Sequence, residues 1–476
     1  MACTTILVGK KASYNGSTLI ARNDDSPSGS FHVKKLVVVN PARQPRHYEA
    51  KISHAQVELP DNPLRYSMMP NVDPSEGVWG AAGFNADNVA MSATETITSN
   101  PLVLGADPYV PMGIGEEDFI VLVLPYIHSA KEGVIRLGKL LEQYGTYEPN
   151  GIAFSDQDEI WWLETIGGHH WIAKKVPDDR YVMMPNQFGM DQFDFEDAYF
   201  LQKEHMCSSD LKEFIAKNHL DLGKNGFEGF NPRLAFGSHA DSDHVYNTPR
   251  AWYMGRYFNP RTFVWDGPDA DFRPEDDDLP WSLIPEHKIT IEEVKYILSS
   301  HYQGTPYDPY GKFGESDQRN RYRSIGISRT SFLSCMEIRN DVAKELACVE
   351  WICFGSNPFN AFVPLYANVK KVPEYFNNTT LDVNTNNFYW ASRLLGVMAD
   401  AHFQSTAILI ERYQNAVANK SREILNRYDA EGKGDLLEQA NEELASMAKV
   451  ETQKALNQVL FVSSCGMKNG FNRSDN

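Results

Sequence analysis

Cysteine is scarce in this chain: six among 476 residues, at positions 3, 207, 335, 348, 353 and 465. Thiols spread so thinly make no disulfide framework and suit a reducing compartment, so a cytoplasmic setting is expected. The nearest pair, Cys348 and Cys353, lies in an aromatic, strand-like run with no second pair at zinc spacing, and both read as core thiols. Long apolar runs are missing too. The best candidate, 119–127, contains Pro125 and falls well short of the roughly 18 residues a membrane span needs, so no membrane partner is expected. No basic stretch followed by an apolar one opens the chain, and no secretory leader is expected. Positive charge is in short supply: 45 Lys and Arg against 63 Asp and Glu give a net charge of −18. Nucleic-acid binders present basic faces, so a nucleic-acid partner is not expected. There is no His-Glu-x-x-His and no compact His/Asp/Glu cluster around His169, His170 or His301. Gly113-x-Gly115 lacks the third glycine and the strand-turn-helix setting of a nucleotide loop. No metal or cofactor is therefore expected. What is present, 42% hydrophobic and 12% aromatic residues, is enough for a sizeable core in an acidic globular enzyme.

The most informative stretch is the first 25 residues. A β-prone run at 4–9, a turn at Tyr14-Asn15-Gly16-Ser17 and a second run from Thr18 to Arg22 predict a hairpin. It returns Arg22, Asp24 and Asp25 towards Cys3, so a thiol, a guanidinium and carboxylates converge near the chain terminus. A terminal cysteine is ordinarily a small buried hydrophobe. As a mature first residue it would instead carry its own base. An α-amino group near pKa 7.7–8.0 and a thiol near 8.5 exchange a proton almost isoenergetically.

Further strands are predicted at 32–39, 79–84 and 89–93, then a helical region over 116–145, clearest from His128 to Gly145. A second strand set follows at 151–154, 159–165, 170–174 and 180–184. Residues 195–320, rich in Asp, Pro, Tyr and Gly, read as a loop-heavy insertion with helical pieces at 195–220 and 291–300. Strand patterning returns at 325–338, 347–354 and 360–364. From 387 onward two long amphipathic helices form a hairpin broken at Glu431-Gly432-Lys433-Gly434. Strand blocks followed by helix blocks fit an α+β class better than a parallel α/β sheet.

Cys-Thr-Thr-Ile at 3–6, Asn-Gly-Ser-Thr at 15–18 and Ala-Arg-Asn-Asp-Asp at 21–25 resemble the dipeptidase A family of N-terminal-nucleophile cysteine peptidases, and more distantly the penicillin V acylases and bile salt hydrolases. Met184-Pro185-Asn186-Gln187-Phe188, Trp161-Trp162-Leu163-Glu164-Thr165 and the Ser324-to-Thr330 segment extend the likeness to about residue 400. The resemblance implies an αββα sandwich of two antiparallel sheets between helical layers. On that reading 3–386 form the catalytic domain, with 195–320 as its insertion and 387–476 as a helical extension packed on it. It also implies a homo-oligomer that hydrolyses dipeptides without a cofactor.

The same resemblance supplies roles. Cys3 is the nucleophile, with Met1 and Ala2 a leader to be removed. Arg22 favours the thiolate, and Asp25, or Asp24 if the register slips by one, orients the new ammonium. A backbone N–H around Thr94 or Glu95 and the side chain of Asn186 donate to the oxyanion, while a carboxylate at Glu95 is also a candidate for the substrate amine. Arg329 either steadies the nucleophile or binds the substrate carboxylate. The alternatives are an N-acyl amidase of the acylase type and an unprocessed, non-catalytic homologue.

Overall fold

In the computed structural model, residues 3–224 and 226–467 are described, with the backbone alone at Thr94 and Glu95. Met1 and Ala2, on which the leader expectation falls, lie outside the described residues. The chain opens with the expected hairpin, β1 (Thr4–Val8) and β2 (Thr18–Asp25), in a register that sets Thr4 opposite Asn23 and Thr5 opposite Arg22. Its turn is built as the sequence demands. Gly16 sits at φ 82°, where a side chain would be strained, and the Ser17 N–H donates to Asn15 Oδ1 at 3.2 Å.

Two ribbons follow, from β3 (Val37–Val39), β4 (His47–Glu49), β5 (Gln56–Glu58) and β6 (Tyr66–Met68), paired β3–β6 and β4–β5. Next come β7 (Ala82–Phe84), β8 (Ala90–Glu95) and three helices, α1 (Pro101–Ala106), α2 (Glu116–Val123) and α3 (Ala130–Tyr144). The α3 helix starts where Ser129 Oγ accepts from the Glu132 N–H and stops at Gly145, a cap and a terminator both legible in the sequence. The strands β9 (Gly151–Ser155), β10 (Ile160–Ile166), β11 (His170–Lys175), β12 (Tyr181–Met184) and β13 (His205–Cys207) complete the first half.

The second half runs through α4 (Leu211–Lys217), α5 (Pro232–Phe236), α6 (Asp243–Tyr246), α7 (Thr248–Phe258), β14 (Ser282–Leu283) and α8 (Ile291–Leu298). It then returns to β15 (Thr330–Ile338), β16 (Cys348–Phe354) and β17 (Val363–Tyr366), and closes with α9 (Glu374–Asn377), α10 (Phe388–Ala401), α11 (Phe403–Glu431) and α12 (Leu437–Cys465).

Two antiparallel sheets dominate: a seven-stranded one in the order β14-β12-β1-β2-β15-β16-β17 and a six-stranded one in the order β13-β11-β10-β9-β8-β7. They face each other through β2 against β8 and β9 and through β15 against β7. Helices α2 and α3 cover the six-stranded sheet, while α7, α8 and α10–α12 cover the seven-stranded one. The result is the expected α+β sandwich. Strands β1 and β2 are buried along their whole length, apolar at Ile6-Leu7-Val8 and Leu19-Ile20-Ala21 and polar towards Cys3, where β2 carries Arg22-Asn23-Asp24-Asp25.

The structure shortens several expected elements. The strand foreseen at 79–84 starts only at Ala82, because Trp79 (φ 51°) and Ala81 (φ 59°) take left-handed backbone. That foreseen at 32–39 is confined to Val37–Val39, and that foreseen at 325–338 begins at Thr330, leaving Arg329 in a loop. The region 195–220 holds a short strand as well as a helix. The C-terminal region has three long helices rather than two, because the chain leaves helical geometry at His402 (φ −128°, ψ 33°) with neither glycine nor proline to announce it.

Candidate active site

Cys3 is fully buried at the mouth of the β1–β2 hairpin. The register places Arg22 beside it, and Arg22 Nη1 donates to Cys3 Sγ at 3.4 Å. The same guanidinium approaches Glu116 Oε1 at 3.4 Å and Asp24 Oδ1 at 3.7 Å. Lys34, fully buried, reaches Asp24 Oδ2 at 3.1 Å and donates to the Trp79 carbonyl at 3.0 Å. Burial works against the charge on Asp24, yet Lys34 and Arg22 outweigh it and hold the carboxyl below its usual range. Cys3, Asp24 and Glu116 bring ligand-type atoms within 4.8 Å of one another. Two resident cations, Arg22 and Lys34, already neutralise the two carboxylates of this trio.

Strand alternation separates the two acids that the sequence left open. Asp24 lies on the Arg22 and Lys34 side. Asp25, also fully buried, pairs with Arg323 and accepts from Thr330 Oγ1 at 2.5 Å. Arg323 approaches Thr4 Oγ1 at 3.5 Å, so Asp25 and Arg323 flank the residue next to Cys3. Burial opposes the charge on Arg323, but Asp25 more than offsets it and raises the pKa.

Asn186 follows β12, whose Met184 pairs with Thr5, and so stands at the same end of the sheet as Cys3. Its Nδ2 donates to the Thr96 carbonyl at 3.0 Å and its Oδ1 accepts from Arg250 Nη2 at 2.8 Å. An arginine donates only, so this contact fixes which end of the amide is the donor. The backbone of Thr94 and Glu95 ends β8 at a bulge, with Glu95 opposite Gly151; the side chains of these two lie outside what is described. Arg329 is more remote. Its guanidinium donates to the Ser26 carbonyl and, at 2.7 Å, to the Tyr246 hydroxyl, and it is Arg323 that reaches Asp25 and Thr4.

Sequence reasoning missed Arg250, Arg323, Lys34 and Glu116. Arg250, on α7, is fully buried and donates through Nη1 to the Cys3 carbonyl at 2.5 Å and to Thr4 Oγ1 at 2.6 Å. Through Nη2 it donates to Asn186 Oδ1 and, at 2.7 Å, to Asn247 Oδ1. One side chain thus ties the Cys3 backbone to the side-chain amide of Asn186. No local pattern marks it, because its partners lie 247 residues upstream. The position of Glu116, first residue of a helix and directly after a glycine, was the one usable signal.

The profile of Peptidase family C69 matches residues 2–416. The chain is 51% identical to a dipeptidase of Bifidobacterium longum and 50% identical to a probable dipeptidase A of Streptococcus pyogenes serotype M3, each match covering 100% of both chains. It also aligns with a crystal structure of the C2A mutant of the conjugated bile acid hydrolase from Clostridium perfringens, at 11% identity and a TM-score of 0.30, over 77% of this chain and 93% of that one. With half of its residues shared end to end with such relatives and the family profile running through most of its length, the chain belongs to peptidase family C69.

Proposed function

We propose that the protein is a dipeptidase that uses Cys3 as a terminal nucleophile. The observation that carries this reading is the buried Cys3 Sγ facing the Arg22 guanidinium at 3.4 Å, in a chain half identical to dipeptidases. A cation at hydrogen-bond range lowers the cost of the thiolate. Once Met1 and Ala2 are removed, the α-amine of Cys3 takes the thiol proton as sulfur attacks the peptide carbonyl, forming a C–S bond. Asn186 Nδ2 and a backbone N–H at Thr94 or Glu95 receive the oxyanion. The C–N bond then breaks, the amine product leaves with the proton held by the α-amine, and water hydrolyses the thioester. Asp24, Lys34 and Glu116 position Arg22. Asp25 and Arg323 position Thr4, and Arg329 acts from behind Tyr246. We place the enzyme in the cytoplasm as a homo-oligomer, a setting that cell fractionation and light scattering check.

Intact mass and turnover of a dipeptide panel in the presence of a chelator test the mechanism together. Loss of Met1 and Ala2 with chelator-resistant hydrolysis is the expected result, and Cys3→Ala is expected to keep the fold and lose turnover. An active enzyme that retains both residues overturns the α-amine route. Hydrolysis of N-acyl amino acids in preference to dipeptides overturns the substrate assignment.

A further inference from the structure

On the outer face of the seven-stranded sheet, away from Cys3, lies a cavity of about 610 Å³ between α8 and α11. That volume falls in the range of small-molecule sites, about 300–1,000 Å³. Strand alternation sets it apart from the nucleophile. Arg22 and Asp24 turn to the Cys3 side of β2, whereas the intervening Asn23 donates to the Leu298 carbonyl at the end of α8. Trp351, Phe359 and Phe403 form an aromatic wall. The acids that line the cavity are mostly committed elsewhere: Glu292 pairs with Arg422 at 2.9 Å and Asp308 with His301 at 2.7 Å.

A buried cation lines the cavity as well. Lys295 is 9% exposed and donates from Nζ to the Asn357 carbonyl at 2.8 Å. Among the described residues no carboxylate lies within ion-pair range of it, and an ammonium has three donors. Ser299, 5% exposed, also lines the cavity, though its Oγ is itself enclosed by protein. Burying an ammonium with no counter-ion is costly unless something accepts from its remaining donors. Burial pushes the Lys295 pKa down to about 8, the mark of a cation without a counter-ion.

We propose that this cavity binds a small apolar carboxylate, its anionic head on Lys295 Nζ and its body against Trp351, Phe359 and Phe403. Two sources share that chemistry: a free amino acid with a large apolar side chain, whose ammonium would face the exposed Glu411 on the cavity rim, and a plain aryl or alkyl carboxylate. Isothermal titration calorimetry of the full-length Cys3→Ala protein with 3-phenylpropanoate and with L-phenylalanine separates them. At least one ligand is expected to bind saturably, to weaken at least tenfold in Lys295→Met and to be lost in Ala407→Trp, which fills the cavity from α11. Tighter binding of phenylalanine assigns the site to amino acids, and tighter binding of phenylpropanoate to plain carboxylates; either supports the proposal. Unchanged melting temperatures show that both variants remain folded. Absence of binding by both ligands, or binding that survives either substitution, overturns the proposal.

Discussion

At the scale of single residues, the site is arranged as pairs of opposite charge in places water does not reach. Arg250 carries the heaviest load, with five acceptors from three parts of the chain on one guanidinium. Lysine has a single donor head and lacks the planar fork. Arg250→Lys is therefore expected to lower kcat at least tenfold with a smaller change in KM, and steady-state kinetics on a dipeptide read that split. Glu164 offers a test through pH. Burial, only partly offset by donors from Trp162 at 3.0 Å and Gly189 at 2.7 Å, raises its pKa to about 7 from the usual 4.5. The folded state then holds a proton that the unfolded state releases above about pH 4.5. This contribution to stability is present below that pH, declines as pH rises towards 7, and changes no further above it. In Glu164→Gln that decline is expected to disappear from urea midpoints measured between pH 4.5 and 8.

At the scale of elements, what the sequence disclosed and what it hid divide along a physical line. The β1–β2 hairpin was legible because alternation and Asn15-Gly16 act within a few residues, and α3 because its cap and its terminating glycine are local. The early end of the 79–84 strand was not, since nothing about Trp79 or Ala81 favours positive φ. Their backbone is held by its surroundings, at a cost of order 1–3 kcal/mol each, and it presents the Trp79 carbonyl to Lys34. Asn186 was found through its motif. Arg250 and Arg323 depend on a chain path that no local signal encodes, and the 195–320 region, read as loops with helical pieces, supplies a side chain that reaches Cys3. Gly83 makes the element-scale test. A Cβ there would lie 1.9 Å from the Ser67 carbonyl oxygen, a backbone atom with little freedom to retreat. Gly83→Ala is expected to destabilise by about 1–3 kcal/mol or more, read as a lower urea midpoint.

At the scale of the whole molecule, the C-terminal helices are joined to the sheet as closely as its own strands are. Residues of α10, α11 and α12 share one hydrophobic core with β15, β16 and β17. Asn441 of α12 meets the free edge of β17, accepting from the Tyr366 N–H at 2.8 Å and donating to the Tyr366 carbonyl at 2.9 Å. It stands in for a missing neighbouring strand. We propose that 387–476 is an extension that cannot be detached, so a chain ending at residue 386 is expected to be insoluble. A soluble, cooperatively melting fragment in differential scanning calorimetry would refute this.

The placement of β1 has a consequence for how the protein comes into being. The strand is made first, yet its neighbours in the finished sheet include Tyr181–Met184, and β2 awaits Thr330–Ile338 on its other edge. Pairings over such separations form late and slowly. A nascent chain on the ribosome therefore holds the Cys3 thiol without the distant strands that enclose it in the finished fold. We propose that the fold around this thiol is completed only after most of synthesis is over, so that a half-made chain is not yet a working peptidase.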